Sequence, residues 1–264
     1  MPELPEVETI VSGLQQIVGR TITAIDILDP LIELPAQEII GKSIFTVRRR
    51  GKYIVLKLCD ESSIVFHLRM SGRLVLIRSK DEQKHSRLVI QLDNGEAIWF
   101  VNPRRLGTVW YVENGFPYQV GVDPLSRGFS ARKLGEITAK SRTAIKPLLM
   151  DQRKIAGLGN IYSSEALWRA GIDPRRPAWS LDEKEITRLH RAIRLILRQA
   201  IDSMGTTFGN TVSDYRNAYG DTGSFQERLE VYGREGAKCR RCGEDILRIK
   251  QAGRSTYFCS SCQK

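Results

Sequence analysis

The spacing of apolar positions along the 264-residue chain changes twice. Near the start, Val7, Ile10, Val11, Leu14, Ile17 and Val18 recur at three- and four-residue intervals, which predicts an amphipathic helix over residues 4–19. Pro5 falls in its first turn, where a missing N–H is tolerated, and Gly19 follows its end. From residue 21 to 125 the period shortens. Lys52–Leu58, Ser63–Leu68, Arg73–Ile77, Arg87–Leu92 and Ala97–Val101 are short, β-branched segments bounded by Gly, Asp, Asn or Ser, and Asp93-Asn94-Gly95 reads as a tight hairpin turn. Short strands at near-regular spacing predict an antiparallel sandwich or barrel. Pro124–Gly135 carries the punctuation of a linker. Helical spacing then returns in Ala144–Met150, Asn160–Ala170 and Asp182–Met204, the last with Ile186, Leu189, Ile193, Ile196, Leu197 and Ile201 as its inner face. Ser180-Leu181-Asp182-Glu183 has the form of a capping box at that helix's start.

The pattern thus predicts an α+β chain. A leading helix and antiparallel β-sandwich occupy 1–125, a linker 126–135, a helical domain 136–225 and a cysteine-rich hairpin 226–264. No internal repeat interrupts it.

Charge divides the chain more sharply than hydrophobicity does. The first 130 residues hold 16 basic and 15 acidic side chains, whereas the remainder holds 25 and 15, giving nearly all of the net +11 to the second part. Such asymmetry predicts a polyanionic partner anchored chiefly by the second half. No apolar stretch is long enough to span a bilayer, and the acidic opening Met1–Glu6 lacks the apolar core of a secretory leader. Four of the five cysteines form two C-x-x-C pairs, which suits a metal in a reducing cytosol better than a disulfide framework. The fifth, Cys59, ends an apolar run and is expected to be a small buried strand residue.

Cys239, Cys242, Cys259 and Cys262 can close a tetrahedral thiolate shell around Zn²⁺, each pair forming a knuckle with a hairpin between them. A closed shell leaves no open position, so one structural zinc is expected. The hairpin carries Arg240, Arg241, Arg248, Lys250 and Arg254, a composition suited to a nucleic-acid groove or a protein contact. In Lys154–Tyr162, two glycines and Asn160 join two helices, and the second helix offers free N–H groups to a phosphate. At the chain start, Pro2 permits removal of Met1, leaving a secondary amine of pKa about 7.7–8.0 against roughly 10.4 for lysine. Near neutral pH a sizeable share of that amine is free base, able to attack a sugar C1′. Glu3 and Glu6 lie beside it in sequence as candidate proton donors or relays.

These motifs occur in one order with Arg50-Gly51-Lys52-Tyr53, His67-Leu68-Arg69-Met70-Ser71-Gly72, Asn102-Pro103-Arg104-Arg105-Leu106-Gly107 and Val231-Tyr232-Gly233-Arg234. As a set, from residue 2 to the last cysteine, they resemble the bacterial formamidopyrimidine-DNA glycosylases. That resemblance implies a helix–two-turn–helix in the helical domain and a zinc-ribbon hairpin after it. It further implies a bifunctional glycosylase and abasic-site lyase that excises oxidised purines from double-stranded DNA. Pro2 would be the nucleophile, Glu3 would protonate the deoxyribose ring oxygen, and Glu6 would help arrange the site. Lys52 would hold phosphates flanking the lesion, and His67, Asn160, Tyr232 and Arg254 would contact the backbone. Met70, Arg104 and Leu106 would fill the space vacated by the flipped nucleotide. Relatives usually carry phenylalanine where this chain has Leu106, and Phe208-Gly209-Asn210-Thr211 looks inserted in the neighbourhood that caps the flipped base. The family further implies a monomer, without a membrane partner, acting in the bacterial cytoplasm at the nucleoid. Two other readings are an endonuclease VIII-like enzyme preferring oxidised pyrimidines and a non-catalytic damage-binding zinc protein. Leu4 favours the purine reading, because the pyrimidine-preferring relatives commonly begin Met-Pro-Glu-Gly.

Overall fold

The computed structural model describes residues 1–78, 83–208 and 216–264. Its contacts divide the chain into two compact units, residues 1–118 with 201–226, and residues 119–200 with 227–264.

The first unit opens with helix α1 (Leu4–Gly13), which tightens into a 3₁₀ turn over Leu14–Ile17 instead of running unbroken to residue 19. The change falls at Gly13, a poor helix former whose carbonyl accepts a 2.8 Å hydrogen bond from Tyr219 Oη. Among the described residues eight strands follow in this unit, with the short helix α2 (Ala36–Ile39) between the first two. They are β1 (Ile22–Ile27), β2 (Ile44–Arg50), β3 (Tyr53–Leu58), β4 (Ser63–His67), β5 (Arg73–Arg78), β6 (Ser86–Leu92), β7 (Glu96–Val101) and β8 (Thr108–Val112).

These strands form two antiparallel sheets, ordered β1-β6-β7-β5 and β2-β3-β4-β8. Alternate residues of each, such as Ile54, Leu56, Ile64 and Phe66 from one and Leu74, Leu88, Ile98 and Phe100 from the other, enter a single core with Val7, Ile10 and Leu14 of α1. Phe66 and Phe100 meet edge-to-face at 5.6 Å between centroids. Of the sandwich and the barrel that the alternation allows, the chain forms the sandwich. Cys59 differs from expectation: β3 ends at Leu58, and Cys59 is exposed, its N–H held by the Ser43 carbonyl at 3.0 Å.

Residues 201–226, grouped by sequence pattern with the helical domain, pack in the first unit. Ala218 joins the sandwich core, and its carbonyl accepts from Leu76 N–H at 2.8 Å.

The second unit holds α3 (Ala131–Ala139), α4 (Ile145–Leu149), α5 (Asn160–Ala170), α6 (Glu183–Asp202, its last two residues in the first unit) and a hairpin of β9 (Leu247–Gln251) and β10 (Arg254–Phe258). Helix α3 starts inside the stretch read as a linker. Ser130 caps it, accepting from Lys133 N–H at 3.1 Å, and Leu134 and Thr138 bury its inner face. The capping box of α6 sits two residues later than the sequence suggested. Asp182 Oδ1 accepts from Glu185 N–H at 2.7 Å while Glu185 Oε2 accepts from Asp182 N–H at 3.0 Å, because Ser180 is taken up in a separate 3₁₀ turn.

Candidate active site and nucleic-acid interface

The amino terminus is built into the sandwich unit. Pro2, Glu3 and Glu6 are all buried. Glu3 is the residue before α1, and Glu6 Oε2 reaches back to accept its N–H at 2.8 Å. The other oxygen, Glu6 Oε1, accepts from Thr206 N–H at 2.8 Å, tying the start of the chain to the returning segment. Gly205, at φ +80°, makes this approach possible, since a Cβ there would lie 2.8 Å from Glu6 Oε1. Around it, Gly223 N–H donates to Thr207 Oγ1 at 2.9 Å and Thr207 N–H to Gln226 Oε1 at 3.0 Å. Of the inserted Phe208–Thr211, only Phe208 belongs to the described residues, and it is exposed.

Lys52 comes from the β2–β3 hairpin. Gly51, at φ +58°, takes the first position of the two-residue turn, where a type II′ geometry favours glycine, and Lys52 is buried at its tip. The terminal amine, carried here by Met1, feels Glu3, Glu6, Lys52 and Arg104 together. Burial is the largest influence on it and pulls its pKa below 8.0; the two carboxylates oppose that shift, while Lys52 and Arg104 add to it. Thus Glu3 and Glu6 from the chain start, Lys52 from the hairpin and Arg104 from a later turn all act on the one terminal amine.

Two turns of the first unit present exposed apolar side chains. Met70 is 49% and Leu106 47% exposed, and each follows an arginine held in the left-handed region, Arg69 at φ +52° and Arg105 at φ +53°. His67, buried at the end of β4, helps to fix the first turn: its Nδ1 accepts from Arg69 N–H at 3.1 Å, and its ring meets Tyr53 edge-to-face at 4.7 Å. Desolvation, then the charges of Arg69 and Lys52, pull the His67 pKa down to about 4. The imidazole is neutral at working pH, and with Nδ1 accepting, its proton sits on Nε2 as a donor.

This shift has a consequence for stability. Between pH 6.5 and about 4 the unfolded chain binds a proton at His67 that the folded chain refuses, so stability falls as pH drops through that window, by roughly 3 kcal/mol at its lower end. Replacing His67 with Asn, which retains an acceptor for Arg69 N–H, is expected to flatten this part of the pH profile. Urea midpoints between pH 7 and 4 would check it, and an unchanged slope would remove His67 as the source.

In the second unit, Asn160 begins α5 and its Oδ1 accepts from Lys146 Nζ at 2.6 Å. Lys146 is almost wholly buried on α4 and also donates to Ser255 O at 3.0 Å and Thr256 Oγ1 at 2.8 Å. One cation thereby orients Asn160 and fastens β10 to the helix start. The sequence reading missed Lys146; the signal was a lysine among the apolar Ile145, Leu148 and Leu149. Lys146→Met would leave three acceptors, one buried and two half-buried, without this donor and is expected to cost about 3 kcal/mol, read from the urea midpoint. Glu165, also missed, is buried on α5 and accepts the N–H groups of Glu230, Val231 and Tyr232 at 2.8–3.0 Å, which sets the backbone that carries Tyr232. Desolvation raises its pKa against the opposing pull of those three bonds.

The sulfurs of Cys239, Cys242, Cys259 and Cys262 all lie within 4.8 Å of one another. A tetrahedron with zinc–sulfur bonds of about 2.3 Å has edges of about 3.8 Å, so the donor set fits one structural Zn²⁺. Arg254 is exposed at the start of β10, after a hairpin turn with Ala252 at φ +46° and Gly253 at φ +76°. No helix among the described residues is long and apolar enough to cross a membrane.

The terminal amine under the influence of two carboxylates and two cations, the four-thiolate cluster and the family match over residues 1–109 together place the molecule in the class of DNA-repair glycosylases. Family models match throughout the chain: the formamidopyrimidine-DNA glycosylase N-terminal domain over residues 1–109, the H2TH domain of the same enzymes over 120–211, and the zinc finger found in FPG and IleRS over 236–264. The formamidopyrimidine-DNA glycosylase of Pelotomaculum thermopropionicum is 42% identical over 278 residues, spanning all of this chain and 99% of its own. The solved MutM (Fpg) protein from Thermus thermophilus superposes with a TM-score of 0.90 at 38% identity, covering 99% of this chain and 98% of that one. A Lactococcus lactis Fpg mutant, solved with DNA containing Fapy-dG, matches at a TM-score of 0.89 and 36% identity with full coverage of both chains. The chain belongs to the formamidopyrimidine-DNA glycosylase family.

Proposed function

We propose that this enzyme excises 8-oxoguanine and ring-opened formamidopyrimidines from double-stranded DNA and then cuts the strand. The observation that carries the reading is the terminal amine, desolvated and within electrostatic reach of Glu3, Glu6, Lys52 and Arg104. With Met1 removed, the Pro2 nitrogen forms a bond to C1′ and the base departs. Glu3 delivers a proton to the ring oxygen as the C1′–O4′ bond opens, leaving an iminium. Loss of a C2′ proton then expels the 3′ phosphate (β-elimination), and a second elimination expels the 5′ phosphate. Glu6 keeps the chain start and the 205–207 segment in register through its two backbone bonds.

Lys52 and the neutral His67 would donate to phosphates beside the lesion, with Asn160, Tyr232 and Arg254 contributing further backbone contacts. Met70 and Leu106 would enter the stack while Arg104 pairs with the orphaned base. The Lactococcus lactis relative, solved with Fapy-dG DNA, supports this substrate class. The enzyme would act as a monomer at the nucleoid in the cytoplasm.

Borohydride trapping followed by mass analysis of the cleaved ends tests the chemistry. A covalent adduct and phosphate on both ends of a one-nucleotide gap are expected; no adduct from Met1-free protein would leave a damage-binding protein instead. Across a panel of lesions opposite cytosine, a preference for thymine glycol would move the enzyme to the pyrimidine-preferring relatives.

A further inference from the structure

The turn that carries Arg104 and Leu106 is strained, and something must hold it. Arg105, between them, is a non-glycine residue at φ +53°, a conformation that costs an ordinary side chain free energy and persists only where the surroundings impose it. The turn is closed at its base by Asn102, whose side chain donates to Gly107 O at 2.9 Å and accepts from Gly107 N–H at 3.2 Å. That clamp fixes the ends. It does not choose where Arg105 goes.

Asp29, just after β1, is the second constraint. Its carboxylate is 4% exposed, yet Arg105 Nε lies 3.1 Å from Oδ2, with Arg87 Nε at 3.7 Å. Oδ1 accepts from Leu31 N–H at 3.2 Å. Arg87 also donates to Asn102 O at 3.2 Å, so the carboxylate and the base of the turn share one cation. An ion pair between exposed groups would be worth little, but Asp29 is desolvated, and leaving a buried carboxylate without a partner is costly. Asp29 draws Arg105 back toward the sandwich and leaves Arg104 and Leu106, its neighbours on either side, exposed.

We infer that Asp29 is a positioning residue for base flipping, acting through Arg105 to hold the Arg104–Leu106 turn ready to enter the stack. The inference rests on the function proposed above. It also bears on the Leu106 departure, since leucine stacks less well than phenylalanine and gains more from being held in place.

The test compares Asp29→Asn, Arg105→Gln and the double variant with the unaltered chain, on duplexes holding either 8-oxoguanine opposite cytosine or a preformed abasic site. Flipping an abasic sugar demands far less of the wedge. Each single variant is expected to lower kcat/KM on 8-oxoguanine about tenfold while changing abasic-site cleavage by less than about twofold, and the double variant to be no worse than the poorer single. Arg105 is exposed, so its variant stays informative even if Asp29→Asn folds poorly. Equal losses on both substrates would mean a folding role, and additive losses would mean that Asp29 does not act through Arg105; either overturns the proposal. Variants as active as the unaltered chain sink the positioning role alone, whereas an unaltered chain that excises no 8-oxoguanine sinks the functional reading and this role with it.

Discussion

A Pro2→Gly variant is expected to give about a hundredfold less borohydride-trapped adduct on an abasic duplex than the unaltered enzyme, while binding the same duplex with an affinity within about threefold. Glycine still permits removal of Met1 and so leaves an amine, which is why the loss falls short of complete. What disappears is the secondary amine, whose imine carries a fixed positive charge at any pH and so drives elimination. The ring that holds that nitrogen against the buried start of α1 is lost as well. A chain in which a residue is retained ahead of Pro2 should give no adduct, because an amide nitrogen is not nucleophilic. The pH dependence follows from the pocket. Pro2 is buried, and burial disfavours an ammonium, so once Met1 is gone the free base, and with it the trapping rate, should reach its plateau at lower pH than a solvated terminal amine would. Trapping time courses between pH 5 and 9, with the adduct site located by peptide mapping, check all three outcomes. A linkage to a lysine would place the nucleophile elsewhere.

What was legible in the sequence and what was not divides by the range of the interactions involved. Helix α1, the strands β3 to β7 and the four thiolates declare themselves through spacing, because each depends on neighbours a few residues away, whereas β1, β2 and β8 were not singled out. Asn160–Ala170 was read to the residue, since its glycine punctuation is local at both ends. The hidden features are held by partners far along the chain. Asp29 reaches Arg105, Lys146 reaches Ser255 and Thr256, and Glu165 reaches the backbone of 230–232. No local pattern distinguishes a buried, hydrogen-bonded lysine from one that extends its ammonium to water. Helix α3 went unread for a different reason: Gly135 and the charged Arg132, Lys133 and Glu136 dilute its period, and the serine cap that starts it resembles linker composition. The resemblance to known enzymes supplied the roles of Met70, Arg104 and Leu106. The left-handed arginines beside Met70 and Leu106 came only from the structure.

Removing the metal is expected to separate DNA binding from the integrity of the sandwich. The ribbon's own core comprises Trp168, Val231, Cys239, Ile246 and Cys259, two of which are metal ligands. A two-stranded hairpin over so small a cluster is marginal by itself, whereas structural zinc in small domains contributes about 10–16 kcal/mol. Without it, β9–β10 should lose the paired geometry that presents Arg254, and Lys146 should lose its Ser255 and Thr256 acceptors, freeing Asn160 as well. Several phosphate contacts would go together, which predicts a fall in duplex affinity of about a hundredfold or more at physiological salt and a shallower dependence on salt concentration. The sandwich core draws on two four-stranded sheets and α1 and includes no ligand of the metal, so its urea midpoint should hardly move. Two tryptophans separate the events: Trp168, under the guanidinium of Arg241 at 4.2 Å, reports the ribbon, and Trp99, on the outer layer of β7, reports the sandwich. Single-tryptophan variants titrated with chelator should lose the Trp168 signal in step with fluorescence-anisotropy binding while Trp99 stays native. Simultaneous loss of both signals would mean that the ribbon and the sandwich unfold as one cooperative body, and that zinc supports the whole chain.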